Sequence, residues 1–129
     1  MSNCVYDISY TTCITGATLS CYECLGPPGR GCADSTLADF VKIPCSQEKF
    51  MKKPYAEHME LENAVELSGL CVQALIVQNN ATVAERGCAF IPPGMNFCET
   101  LSRVVEVKSC STCTQDYCNK KRLKHYQIN

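Results

Sequence analysis

The residues of this chain most able to do chemistry are its cysteines, 12 among 129 residues. Two CxxC units stand out, Cys21-Tyr22-Glu23-Cys24 and Cys110-Ser111-Thr112-Cys113. Paired CxxC units hold zinc in ribbon folds. Here they lie near opposite ends of the chain with further cysteines spread between them, which argues against a metal site. A thioredoxin-type redox motif needs its CxxC within a βαβ pattern, and neither unit has one. A dense, even set of cysteines in a short chain reads instead as a disulfide framework made in an oxidising compartment.

The remaining candidates are few. His58 and His125 are the only histidines, and no nucleophile elbow or HExxH motif accompanies them. Both are expected on the surface. Glu57, Glu60, Glu62 and Glu66 lack the loop chemistry of a calcium site and read as the solvated face of a helix over 56–67. The chain is therefore not expected to be an enzyme, nor to take a cofactor, a metal or a small-molecule substrate. Asn80-Ala81-Thr82 is an N-glycosylation sequon on a predicted turn, so Asn80 is a candidate glycan site in a secreted chain.

These residues need positioning elements. With no Trp and 4 Phe the core must be thin, and disulfides offset that at roughly 2–4 kcal/mol each. The pattern is that of a small all-β, disulfide-rich fold. Leu19–Glu23 and Phe40–Ile43 read as strands around a Gly/Pro turn that begins at Gly26. Residues 70–77 and Thr82–Arg86 form a hairpin about Gln78–Ala81. Glu99–Lys108 reads as a further hairpin with Val104, Val105 and Val107 in its return strand. The spacer from Ser46 to Ser68 is expected to be a surface excursion outside the sheet.

Three regions emerge. Residues 1–20 form an atypical leader that does not read as a clear signal peptide, because polar residues interrupt any apolar core. Residues 21–119 form the cysteine-rich domain. Residues 120–129 form a basic tail with Lys120, Lys121, Arg122 and Lys124. The net charge is −1, so the rest of the chain is acidic, which argues against nucleic acid as partner. Neither a membrane span nor the hydrophobic tail of a lipid anchor is apparent. The cysteines nonetheless point to an extracellular protein, secreted or at the cell surface.

The opening CYxC and the closing Cys113-x4-Cys118-Asn119 resemble the three-finger superfamily, which includes the lymphocyte-antigen-six proteins and urokinase-receptor domains. The long spacer from Cys45 to Cys71, Arg86-Gly87-Cys88 and the CxxCxxDxCN close are most similar to its insect Quiver/Sleepless-like branch. The resemblance covers residues 21–119. Ten cysteines alone leave the connectivity open. The resemblance implies Cys21–Cys71, Cys24–Cys32, Cys45–Cys88, Cys98–Cys110 and Cys113–Cys118, with fingers at 21–45, 71–88 and 98–110 and a possibly helical insertion between the first two. Cys4 and Cys13 have no counterpart, and are expected to pair with each other or to lie outside the mature protein. The implied function is modulation of a membrane receptor or ion channel, in that branch potassium channels or nicotinic acetylcholine receptors, with effects on sleep and excitability. The alternative is a structural or adhesion factor at cell junctions or in lipid carriage. Relatives carry a lipid anchor, so membrane attachment here would require an anchor segment missing from this chain. With a glycan on Asn80, partner contacts are expected through the flanks of finger two and through fingers one and three, at the tips Pro27–Arg30 and Leu101–Arg103, with Arg30 and Arg103 as candidates.

Overall fold

The computed structural model describes residues 3–6, 11–14, 19–27, 31–34, 40–59, 61 and 66–123. In chain order the strands are β1 (Asn3–Tyr6), β2 (Thr11–Ile14), β3 (Ser20–Gly26) and β4 (Val41–Pro44), then β5 (Ser68–Gln78), β6 (Ala81–Ile91) and β7 (Glu106–Cys113). Helix α1 (Gln47–Met51) and a 3₁₀ turn (Ala56–Met59) lie in the spacer, and helix α2 (Phe97–Ser102) precedes β7. Strands β1 and β2 pair antiparallel with Cys4 opposite Cys13. The other five form one antiparallel sheet in the order β4-β3-β6-β5-β7. The fold is small, mostly antiparallel β and rich in disulfides.

The β5–β6 hairpin is the backbone of the sheet. Its strands pair from Ser68↔Ile91 to Gln78↔Ala81, which leaves Asn79 and Asn80 as a two-residue loop. Both are left-handed, φ 51° and 64°. A two-residue hairpin turn with positive φ at both positions matches the twist of the strands, and asparagine tolerates it better than most residues.

Side chains alternate between the two faces of a sheet, and over the β5–β6 hairpin both faces are covered. Val72, Ala74 and Ile76 of β5 face the spacer and α2, which bring Phe50, Tyr55, Met59, Leu61, Phe97 and Leu101 onto them. Phe50 is 1% exposed, with the rings of Tyr55, Phe90 and Phe97 at 6.2–6.4 Å between centroids. The opposite face carries Leu75 and Ala84, packed on Cys32, Ala33 and Leu123. Leu123 N–H donates to the Ala33 carbonyl, so the chain just beyond residue 119 is part of this packing.

Four expectations from the sequence change. The spacer does lie outside the sheet, but it is a core element: Phe50, Tyr55, Ala56 and Met59 are buried. Its α-helix is at Gln47–Met51, begun by the Ser46 hydroxyl accepting Lys49 N–H, whereas the expected helix of 56–67 contains only a 3₁₀ turn at Ala56–Met59 among the described residues. The segment read as a hairpin from Glu99 is helical at its start. The Asn96 side chain caps α2 by accepting Glu99 N–H, and Phe97, Cys98 and Leu101 form its buried side. The short capping signal was outweighed in the sequence by the valines that follow. Leu101, expected at a fingertip, is 1% exposed.

Candidate functional site

One row of side chains across the sheet defines the site. Leu25 of β3 stands opposite Glu85 of β6, and Glu85 stands opposite Ala74 of β5, so all three share a face. Along this row the cover changes abruptly. Ala74 lies buried under the spacer. Glu85 sits at the border, where Lys53 Nζ donates to its Oε1 at 3.0 Å and Tyr55 Oη donates to the same oxygen. Leu25 is 66% exposed, and Val41, opposite Glu23 on β4, is 59% exposed. Among the described residues, the cover over the core face therefore stops at Lys53–Tyr55, and the β3–β4 limb of that face stays open.

The border is a groove of about 530 Å³. Lys53, Pro54 and Tyr55 form one wall, Leu25, Val41 and Glu23 the other, with Glu85 on the floor. That volume lies in the range of ligand-binding clefts, roughly 300–1,000 Å³. A Cβ at Gly87 would come 3.3 Å from Lys53 Nζ, a tight contact that the flexible lysine end can relieve by a small shift. Burial and the neighbouring Glu85 carboxylate push the Tyr55 phenol well above its ordinary pKa, so the hydroxyl stays a donor. Lys53 also lies 5.8 Å from the Tyr55 ring centre. A second cleft of about 380 Å³ adjoins the groove across Pro54, Tyr55 and Gln78, and is bounded by His58, Asn79, Val104 and Val105.

The position of β3, and so of Leu25, is fixed from the opposite face. β3 pairs with β6 only over Cys24–Gly26. Nearer the disulfides, Asn119 bridges the gap: Tyr22 N–H donates to its Oδ1, and its Nδ2 donates to the carbonyls of Tyr22 and Val72. Next to it Arg86 is fully buried. Its guanidinium donates to the carbonyls of Cys32, Ala33 and Asn119 and to Gln73 Oε1, and lies 4.6 Å from the Phe40 ring centre. All these acceptors are neutral, and burial lowers the Arg86 pKa to about 10. Tyr22 packs between Phe40 and Tyr117.

The disulfides are Cys21–Cys71, Cys24–Cys32, Cys45–Cys88, Cys98–Cys110 and Cys113–Cys118, the same partners as the family resemblance implies. The sulfurs of Cys21, Cys45 and Cys88 lie within 4.8 Å of one another, but as disulfide sulfurs they are not thiolate ligands for a metal. Asn80 is exposed at the β5–β6 tip, next to Asn79 of the second cleft. Arg103 is exposed at the end of α2, paired with Glu99 at 2.9 Å and adjoining Val104 of the second cleft. Arg30, Glu60, Glu62 and His125 lie outside the described residues, whereas His58, Glu57 and Glu66 are exposed. Sequence reasoning missed the groove. Lys53, Pro54 and Tyr55 carry no motif, and their meeting with Glu85 depends on how the spacer folds. Comparison with known proteins finds no matching family model, no matching curated protein and no matching solved structure.

Proposed function

We propose that this protein is an extracellular binding module of the three-finger kind, not an enzyme, and that it modulates a membrane receptor or ion channel by docking the groove beside Leu25 onto it. The carrying observation is the uncovered limb of an otherwise covered sheet face, where Leu25 and Val41 stand exposed beside a fixed polar wall. Apolar groups next to satisfied polar groups on a rigid frame suit a protein partner, whose interface excludes water from a small central patch. The CYxC opening and Cys-Asn close support the superfamily, and the spacer and CxxCxxDxCN close favour its Quiver/Sleepless-like branch. On that reading the targets are potassium channels or nicotinic acetylcholine receptors, and the setting is control of excitability and sleep. A glycan on Asn80 would border the second cleft and leave the groove's Leu25 wall free. Lipid carriage fits less well, because the groove floor holds the Lys53–Glu85 ion pair, which an acyl chain does not match.

The test is co-expression with such channels and receptors, with current recorded. The wild-type protein should alter the current. Leu25→Asp and Val41→Asp should abolish the effect at unchanged protein levels, since exposed substitutions of this kind usually change stability by no more than about 0.5 kcal/mol. Arg103→Ala in the same assay reports whether the second cleft takes part. A wild-type effect that survives both groove substitutions would reject the groove. No effect on any member of either target class would reject the modulator reading.

A further inference from the structure

Two of the disulfides meet. Cys21 Sγ lies 3.2 Å from Cys45 Sγ, though the two belong to different bridges. Their remaining partners, Cys71 and Cys88, stand directly opposite each other in the β5–β6 register. Opposite residues of an antiparallel pair have Cα atoms about 4.5–5.5 Å apart, which is within the usual span of a disulfide. We infer that these four half-cystines form a built-in exchange switch, in which Cys21–Cys71 and Cys45–Cys88 convert to Cys21–Cys45 and Cys71–Cys88.

The chemistry needs an initiating thiolate, such as that of glutathione, and no net oxidant or reductant. Cys45 is only half-buried, whereas Cys88 is 6% exposed and Cys21 and Cys71 are fully buried. The thiolate attacks Cys45 Sγ, forms a mixed disulfide there and releases the Cys88 thiolate. Cys88 then attacks Cys71 Sγ across the strand pair, which forms Cys71–Cys88 and releases the Cys21 thiolate. Cys21 attacks Cys45 Sγ, its near neighbour, which forms Cys21–Cys45 and returns the initiator. Two S–S bonds break and two form, and the initiator is regenerated.

The exchange alters what is fastened to what. In the present pairing each bridge ties the β3–β4 limb to the β5–β6 hairpin. After exchange each limb is tied to itself. β3 then holds the rest of the sheet through its Cys24–Gly26 pairing with β6 and the Asn119 bridge. The groove crosses that junction, so exchange loosens it. This inference does not rest on what the groove binds.

The test uses the oxidised full chain in its native fold, incubated with catalytic glutathione, then acid-quenched, alkylated and mapped as unreduced peptides. Cys21–Cys45 and Cys71–Cys88 peptides should appear together in equal amounts and dominate the new linkages. Amide hydrogen exchange at Leu25 and Glu85 should quicken at the same rate. A parallel incubation in guanidinium provides the scrambled pattern for comparison. Absence of new linkages, a pattern matching the scrambled one, or a Cys71–Cys113 product (Cys113 also faces Cys71, across β5–β7) would each overturn the inference.

Discussion

Arg86 holds together parts of the chain that are far apart in sequence, since its four acceptors come from residues 32, 33, 73 and 119. A buried cation of this kind is tolerated only while its donors are all used. Arg86→Lys keeps the charge but loses the planar fork, so it should destabilise the protein by roughly 3–5 kcal/mol, the cost of breaking a buried charged network. Guanidinium unfolding with the disulfides intact measures this. Tyr55 supplies a pH signature. Its folded pKa is raised, so its contribution is fully present below the ordinary tyrosine pKa of about 10 and is lost as pH rises beyond it. The difference spectrum between wild type and Tyr55→Phe, taken natively about one pH unit above that value, should show no phenolate absorbance. Unfolding at the same pH should make it appear. Neither role was legible in the sequence. Arg86 reads there as one charge in a hairpin strand, and its burial depends on acceptors that only the tertiary fold brings near.

At the scale of elements, β3 to β6 were legible, whereas β1 and β2 were not. Strand β7 begins only at Glu106, past Val104 and Val105, and the helices were missed. The β-branched run at 70–77 and the asparagine turn announce the central hairpin, because their periodicity and turn chemistry are local. Helices α1 and α2 have 5 and 6 residues, too few for an apolar period to show. Their only local marks are the caps at Ser46 and Asn96. The spacer's length suggested a tolerated excursion, yet Phe50 sits at the middle of the larger core cluster. Phe50→Ala should therefore cost about 3–5 kcal/mol. Replacing residues 50–59 with a Gly/Ser linker should leave a chain that binds a hydrophobic dye and lacks a cooperative thermal transition. A linker variant that unfolds as sharply as wild type would return the spacer to the surface role its polarity suggested.

For the whole molecule, the disulfides and the burial pattern divide the work. Three bridges, Cys21–Cys71, Cys45–Cys88 and Cys113–Cys118, gather in one cluster, while Cys98–Cys110 and the spacer belong to the far larger apolar cluster on one face and Cys24–Cys32 to the packing on the other. Reduction removes constraints worth roughly 2–4 kcal/mol per bridge. The reduced chain should lose its near-ultraviolet circular dichroism, as the limb carrying Leu25 is otherwise anchored by the short β3–β6 pairing and by the buried hydrogen bonds of Arg86 and Asn119. Asn119→Ala strands three backbone groups of Tyr22 and Val72, at roughly 1–3 kcal/mol for each unsatisfied group. Its place in the chain has a further meaning. Asn119 reaches Tyr22 across 97 residues of sequence, so a polypeptide emerging from its N-terminal end cannot close this junction until nearly all of the described chain has been delivered. The partners of Cys24–Cys32 are 8 residues apart and can meet early, whereas Cys21 waits for Cys71 and Cys45 for Cys88. Completion of the fold is thus a post-delivery event, and the side chain that concludes it also certifies that the preceding chain is present and in order.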